Sequence, residues 1–444
     1  MLFAIAFALF CAACTMLAFM RHPIWGFYFY LATTFVYPPG RWWGYLFGDL
    51  RWALIAAAVT ALAIVLHLGK LKEKPLWLGN GAAAVLFIYC ALMWLQTPLA
   101  VARDDHVAGA ILFAKSLVAF WVVYRITDSR ERVRDLLLAH VIGCAVLGLQ
   151  SMLVGRQNER LDGVGGPGLD DANTLGMYLA TGLVAASGLV LTQKGWRRWL
   201  SLGSMAPIAN GFVLVNSRGA MLGLAAGAVV LAFCKSGQHR REFWALAAVA
   251  VVLGAIVVDK AFVVRMFTIS EVTTEEADSS AQNRVELAKA QLLMFLDHPI
   301  GIGHRGTAAL SRDYLDEKWL SIDLARRYEP AERSSHNTFL TALVEQGVFG
   351  AMLFLALVLW IGGATWRVRR WQASAADPEL VTLGATICAA LAVVFVAGNT
   401  ADYLLAEVQF WLLAALVSVR QLIPENAAFM SRDDAGAGIR RVTV

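Results

Sequence analysis

The stretch SSHNTFLTALVEQGVFGAMLFL, Ser334 to Leu355, carries a polar segment directly into an apolar run. Lipid offers no partners to backbone N–H and C=O groups, and a helix is the open-ended element that satisfies them all internally. Blocks of about 15 to 25 apolar residues, the length a bilayer core requires, recur from one end of the chain to the other. The 444 residues are 58% hydrophobic and 16% charged. The fold class is therefore all-α: a polytopic integral membrane bundle of about twelve transmembrane helices, with membrane lipid as its surroundings. Twelve blocks follow the first twenty residues, and Met1 to Met20 makes a thirteenth if it also crosses. That first block lacks a basic n-region and a small-residue cleavage site, so it is read as retained.

Cys11, Cys14, Cys90, Cys144, Cys234 and Cys388 all fall in or at the ends of apolar blocks, where cysteine acts as a small hydrophobe. Neither disulfides nor a metal site are expected from them, although Cys11 and Cys14 make a C-x-x-C. The net charge of +5 is informative through its distribution, and no nucleic-acid partner is expected.

Short connections rich in Lys and Arg mark the cytoplasmic side of an inner membrane. Lys70 to Lys74, Tyr124 to Arg134, Gln193 to Arg198, Lys235 to Arg241 and Trp366 to Trp371 fit that description, each two spans from the next. The intervening connections are then periplasmic: Pro38 to Leu50, Pro98 to Asp105, Gly155 to Ala172, Asn216 to Gly219, Asp259 to Ser335 and Gly398 to Asp402. The chain divides into spans with short loops (1–258), a large external loop (259–335), C-terminal spans (336–420) and a cytoplasmic tail (421–444).

The loop from Asp259 to Ser335 covers 77 residues, a length that is usually functional or disordered. NRVELAKAQLLMFLDHP, Asn283 to Pro299, has Leu287, Leu292, Leu293 and Leu296 at helical spacing and a proline stop. A tight GIGHRG segment, Gly301 to Gly306, precedes a second expected helix from about Thr307 to Ser321. Glu271 to Ser280 reads as a mobile, solvated acidic run.

Arginines on the outer side run against the usual charge bias. The loop holds seven Arg and three Lys against thirteen Asp or Glu, so it is not a generic basic patch and individual arginines matter. Arg160, Arg218, Arg265 and Arg284 stand out by placement. Arg218 lies in a tip between two stretches, Leu200 to Val215 and Ala220 to Lys235, of roughly 24 Å each at 1.5 Å per residue, against a core of about 30 Å. A recessed arginine is expensive unless it faces a polar cavity or a partner.

Ser334 and Ser335 are good helix caps, which places His336 in the first turn of the helix running on through Leu340 and Leu343. The helix dipole there favours the neutral imidazole a general base needs. Glu345 falls on the opposite face at 100° per residue, and orients the histidine only if the helix breaks near Gly347. Together these residues suit transfer from a phosphorylated donor. Arginine forks match phosphate oxygens and neutralise a departing pyrophosphate, while His336 deprotonates the attacking hydroxyl. The arginines take the part a divalent cation would otherwise play, so no cofactor and no metal is expected.

NRVELAKAQLLMFLDHPIGIGH (Asn283 to His304), followed by HNTFLTALVEQGVFGAMLFL (His336 to Leu355), resembles the bacterial O-antigen ligase and polymerase superfamily, and NSRGAMLGLAAG (Asn216 to Gly227) is similar to its Ser-Arg-Gly segment. The resemblance covers roughly Leu175 onward and is strongest to the ligase. It implies metal-independent, inverting glycosyl transfer of O-polysaccharide from undecaprenyl pyrophosphate to the lipid A core in the periplasm. It also implies His336 as catalytic base, with Arg218 and Arg284 as external arginines. Asn337 belongs to the same motif and is a candidate substrate contact. Arg160 and Arg265 come from placement alone. The family has about twelve spans, which implies that Met1 to Pro38 holds one crossing plus a shorter inserted helix. An O-antigen polymerase or a protein O-oligosaccharyltransferase would share donor and site, and a transporter remains the reading from another class.

Overall fold

The computed structural model describes residues 1–156, 160–234, 262–263, 275–323, 329–372 and 377–423. Among these residues it is a helical bundle with one pair of three-residue strands, Ser321–Asp323 and Glu329–Ala331, joined antiparallel in the large loop. The helices of the N-terminal part are α1 (Leu2–Met20), α2 (Ile24–Val36), α3 (Trp52–Leu66), α4 (Gly81–Gln96), α5 (Arg103–Ile126), α6 (Arg130–Val154), α7 (Ala172–Thr192), α8 (Gly195–Val215) and α9 (Arg218–Phe233). After them come α10 (Glu275–Asp297), α11 (Gly306–Tyr314), α12 (Thr338–Val344), α13 (Gly347–Trp371), α14 (Pro378–Ala397) and α15 (Glu407–Leu422). Among the described residues seven helices are long and apolar enough to cross a membrane, α1, α4, α5, α6, α7, α13 and α14, with α3 and α9 as shorter apolar helices. The chain is a multi-pass membrane protein.

Helices α7 and α14 form the centre, packed on each other and surrounded by α6, α8, α9 and α15. Around this core the connections sort to two ends. At the basic end Lys74 Nζ donates to the carbonyls of Tyr124 (2.5 Å) and Thr127 (2.8 Å) and to Ser418 Oγ (3.0 Å). Arg130 pairs there with Asp377 at 2.8 Å, and Arg197 lies 3.8 Å from Asp135. Three of the basic connections thus meet in one layer, while Lys235 to Arg241 lies outside the described residues. The other end gathers the loops read from sequence as external, and it is called the loop end below.

The first helices run between both ends. Phe7 packs on Trp43 (centroids 5.8 Å) and Trp52 (5.2 Å) at the loop end, while His22, in the turn after α1, lies 3.9 Å from Asp128 at the basic end. Helix α1 is long and apolar enough to cross a membrane, whereas α2, of 13 residues, is shorter. All six cysteines are buried and unpaired.

Three expectations for the large loop change. Helix α10 begins at Glu275, so part of the acidic run is helical instead of mobile. The second helix, α11, is only nine residues, because the chain turns at Leu315 into a 3-10 turn and the strand pair. The apolar run after His336 is two helices, since the chain breaks at Glu345 to Gly347.

Candidate functional site

The tip between α8 and α9 is built by local chemistry. Asn216 takes the left-handed conformation (φ 54°) that ends α8, a conformation asparagine tolerates. Ser217 then caps α9 by accepting the N–H of Ala220 at 3.3 Å. Arg218 is the first residue of α9, and Gly219 lets that turn approach the loop after α14: a Cβ here would stand 1.7 Å from Thr400 Oγ1. Helix α8 has 21 residues, longer than expected, so the short-span argument for a recessed Arg218 rests on the 16-residue α9 alone.

Arg160 joins this tip through Asn173, whose Oδ1 accepts from Arg160 Nη2 at 2.7 Å and from Ser217 Oγ at 3.0 Å. Helix α10 brings Arg284 to the same place. Surrounding protein, then the charges of Arg218 and Arg160, hold its guanidinium pKa below the ordinary value. Arginine stays protonated regardless, so three cations lie close enough to act on one another and favour an anion nearby. Arg265 lies outside the described residues.

His336 is not in a helix. The cap of α12 is Asn337, whose Oδ1 accepts the N–H groups of Phe339 (2.9 Å) and Leu340 (3.2 Å). Ser335 instead accepts from Gln291 on α10 at 3.0 Å. His336 therefore precedes the cap, with its ring reaching solvent. Its pKa is still lowered, by the protein packed round it and by the charges of Arg333 and Arg284, with Asp171 opposing. The neutral imidazole is favoured first by burial and then by the two arginines. Asn337 is spent, at Oδ1, on the cap.

The start of α12 is tied to the loop between α14 and α15. Thr338 donates its N–H to Gly398 O (2.7 Å) and its hydroxyl to Ala401 O (3.0 Å), and accepts the N–H of Tyr403 (2.8 Å). Tyr403 is 2% exposed, its hydroxyl has no hydrogen-bond partner among the described residues, and its electrostatic neighbours are Asp171, Arg160 and Asp402. Burial pushes its phenol above the usual range.

Behind this cluster lies a second one. The segment between α10 and α11 threads between α5 and the α12–α13 break. Gly303 N–H bonds Glu345 O at 2.8 Å, and His304 N–H bonds Nδ1 of the buried His106, whose Nε2 donates to Met93 O at 2.7 Å. Gly347 has φ 68° and Gly301 φ 103°, and their backbones touch so closely that a Cβ on Gly301 would stand 2.6 Å from Gly347 N. Glu345, turned by the break, reaches His304 Nδ1 at 3.3 Å and accepts the N–H of Arg305 at 2.9 Å. The His304 contact with Glu345 is an ion pair. Burial works against the imidazolium, but Glu345 and Asp402 outweigh it and raise the His304 pKa. Asp402 is pushed up to about 6 by surrounding protein and by the Glu345 charge.

Of the residues singled out from sequence, Arg160, Arg218, Arg284 and His336 are brought together, and Asn337 flanks them. Asp171, Tyr403, His304 and Asp402 were not identified. Asp171 precedes a helix start as an ordinary cap, and Tyr403 follows a short connection. Only the Gly-x-Gly-His spacing carried a signal, and it read as a turn. Residues 203–355, which include Arg218, Arg284 and His336, match the family described as O-Antigen ligase. No curated protein matches the chain.

Proposed function

We propose that this chain, whose residues 203–355 match the family described as O-Antigen ligase, is the ligase itself. In this reading it is an inner-membrane glycosyltransferase that joins O-polysaccharide, carried on undecaprenyl pyrophosphate, to the lipid A core at the periplasmic face. The observation that carries the reading is the convergence of Arg160, Arg218 and Arg284 beside His336 at the loop end. The superfamily acts on lipid-linked glycans, and such donors present a pyrophosphate between an apolar tail and a sugar. Three guanidiniums at the end of a membrane bundle suit that group in charge and in position.

The acceptor hydroxyl attacks the anomeric carbon from the side opposite the pyrophosphate. The new C–O bond forms as the bond to the phosphate oxygen breaks, which inverts the anomeric centre. His336 takes the hydroxyl proton, and undecaprenyl pyrophosphate leaves with its charge balanced by the arginines. Asp171 is placed to steady the imidazolium that results. Arg333, which like Arg284 holds the resting ring neutral, speeds release of the proton afterwards.

Deleting the gene and separating lipopolysaccharide on a gel tests the acceptor. Loss of the whole ladder with core retained means a ligase. A single-repeat band means a polymerase, and an unchanged ladder with an unglycosylated pilin-like protein means a protein O-oligosaccharyltransferase.

A further inference from the structure

Helix α10 has two apolar faces. Leu287, Ala290 and Met294 are buried against the rest of the loop and α12, with Gln291 between them. At 100° per residue, Val285, Leu292, Leu293 and Leu296 lie on the opposite side. These four are 48% to 71% exposed, and Ile300 just past the helix is 53% exposed. The stripe runs roughly 17 Å at 1.5 Å per residue. A soluble loop helix turns polar residues outward, and an apolar stripe of this length marks a surface that something covers.

The position of the stripe says what covers it. Gln96, at the end of α4, donates to Ile300 O at 2.6 Å and to Gln346 O at 2.9 Å, and Val348 at the start of α13 donates to Pro299 O at 2.9 Å. The lipid-facing side chains at those helix ends, Leu95, Leu99, Phe349 and Met352, are themselves exposed. The stripe thus continues the membrane-facing surface of α4 and α13 outward along α10. Lys289 interrupts it toward the N-terminus, 64% exposed at its side chain, in the place where a lysine stem leaves hydrocarbon for headgroups.

We propose that the outer face of α10 is seated in the acyl-chain region of the bilayer leaflet at the loop end, as an interfacial helix. Bilayer lipid, not a protein, is its occupant. The consequence is geometric: membrane seating of Leu292, Leu293 and Leu296 fixes the depth of Arg284 on the same rigid helix, at the level of lipid headgroup phosphates. This adds to the proposed function without depending on it.

A cysteine at Leu296, labelled with a polarity-sensitive fluorophore, tests this in nanodiscs of phosphatidylcholine with brominated acyl chains. The native cysteines are all buried, and Leu296 is exposed, so neither labelling nor folding is compromised; Lys318→Cys serves as the solvent control. Leu296 should give blue-shifted emission quenched by the brominated chains, and Lys318 neither. Water-like, unquenched emission at Leu296 overturns the proposal. So does blue-shifted emission without quenching, which means that protein covers the stripe. No turnover is needed, so failure here is distinct from failure of the glycosyl-transfer reading.

Discussion

The carboxylate of Glu345 stands 3.3 Å from His304 Nδ1 and takes the N–H of Arg305 at 2.9 Å, so the residue that ends α12 is fastened to the segment that follows α10. His336 at one end of α12 and Arg284 on α10 are thereby held in one frame. The frame also has a charge state of its own, because His304, Glu345 and Asp402 act on one another.

That charge state sets a pH dependence. The His304 pKa is raised above 6.5 in the fold, so its stabilising contribution is complete below about 6.5 and is lost as pH rises through the folded pKa. Asp402, raised from 3.8 to about 6, works in the same sense but mostly below pH 6, since folding favours its protonated form. The melting temperature in detergent should rise between pH 8 and pH 6, and Glu345→Gln should flatten that rise. An equal slope in the variant removes Glu345 from the account.

His336→Ala should lower turnover by on the order of 10² to 10⁴ while leaving donor binding nearly intact. The wild-type rate should fall on acidification with a midpoint below about 6.5, because the neutral imidazole is the base and its pKa is depressed. Purified protein, lipid-linked donor and lipid A core acceptor, assayed across pH 5 to 9, give both numbers. A fully active His336→Gln enzyme sinks the mechanism.

Arg218→Lys and Arg284→Lys keep the charge and lose the bidentate fork. Each should reduce transfer by on the order of 10² with the protein still folded. Wild-type rates in both would mean that charge alone suffices at these positions.

The hydroxyl of Tyr403 is buried without a hydrogen-bond partner among the described residues, so its removal leaves none of their polar groups unpaired. Tyr403→Phe should change stability by less than about 1 kcal/mol yet raise KM for the donor if the hydroxyl meets a phosphate oxygen. Unchanged kinetics would assign it to packing.

Orientation is open to a direct measurement. A cysteine at Lys318 should react with an impermeant thiol reagent in cells with a leaky outer membrane, and one at Lys194 should not. The reverse pattern turns the bundle over.

Much of the bundle was legible because it rests on short-range rules. Apolar run length marked a polytopic helical bundle, and Lys and Arg content picked out connections that Lys74, Arg130 and Arg197 hold together at one end. Arg160, Arg218, Arg284 and His336 stood out because charge at the rim of a bilayer is costly and needs a reason. What sequence could not supply was the meeting of segments far apart in the chain. The helix break at Gly347 depends on a positive φ and on contact with Gly301, and periodicity ran straight through it. The depressed pKa of His336 has the expected sign, but burial and then Arg333 and Arg284 lower it, and His336 lies outside the helix. The pairing of Glu345 with His304, and of Thr338 with the Tyr403 loop, arises from packing among α5, α10, α12 and α14, and only tertiary structure decides such contacts.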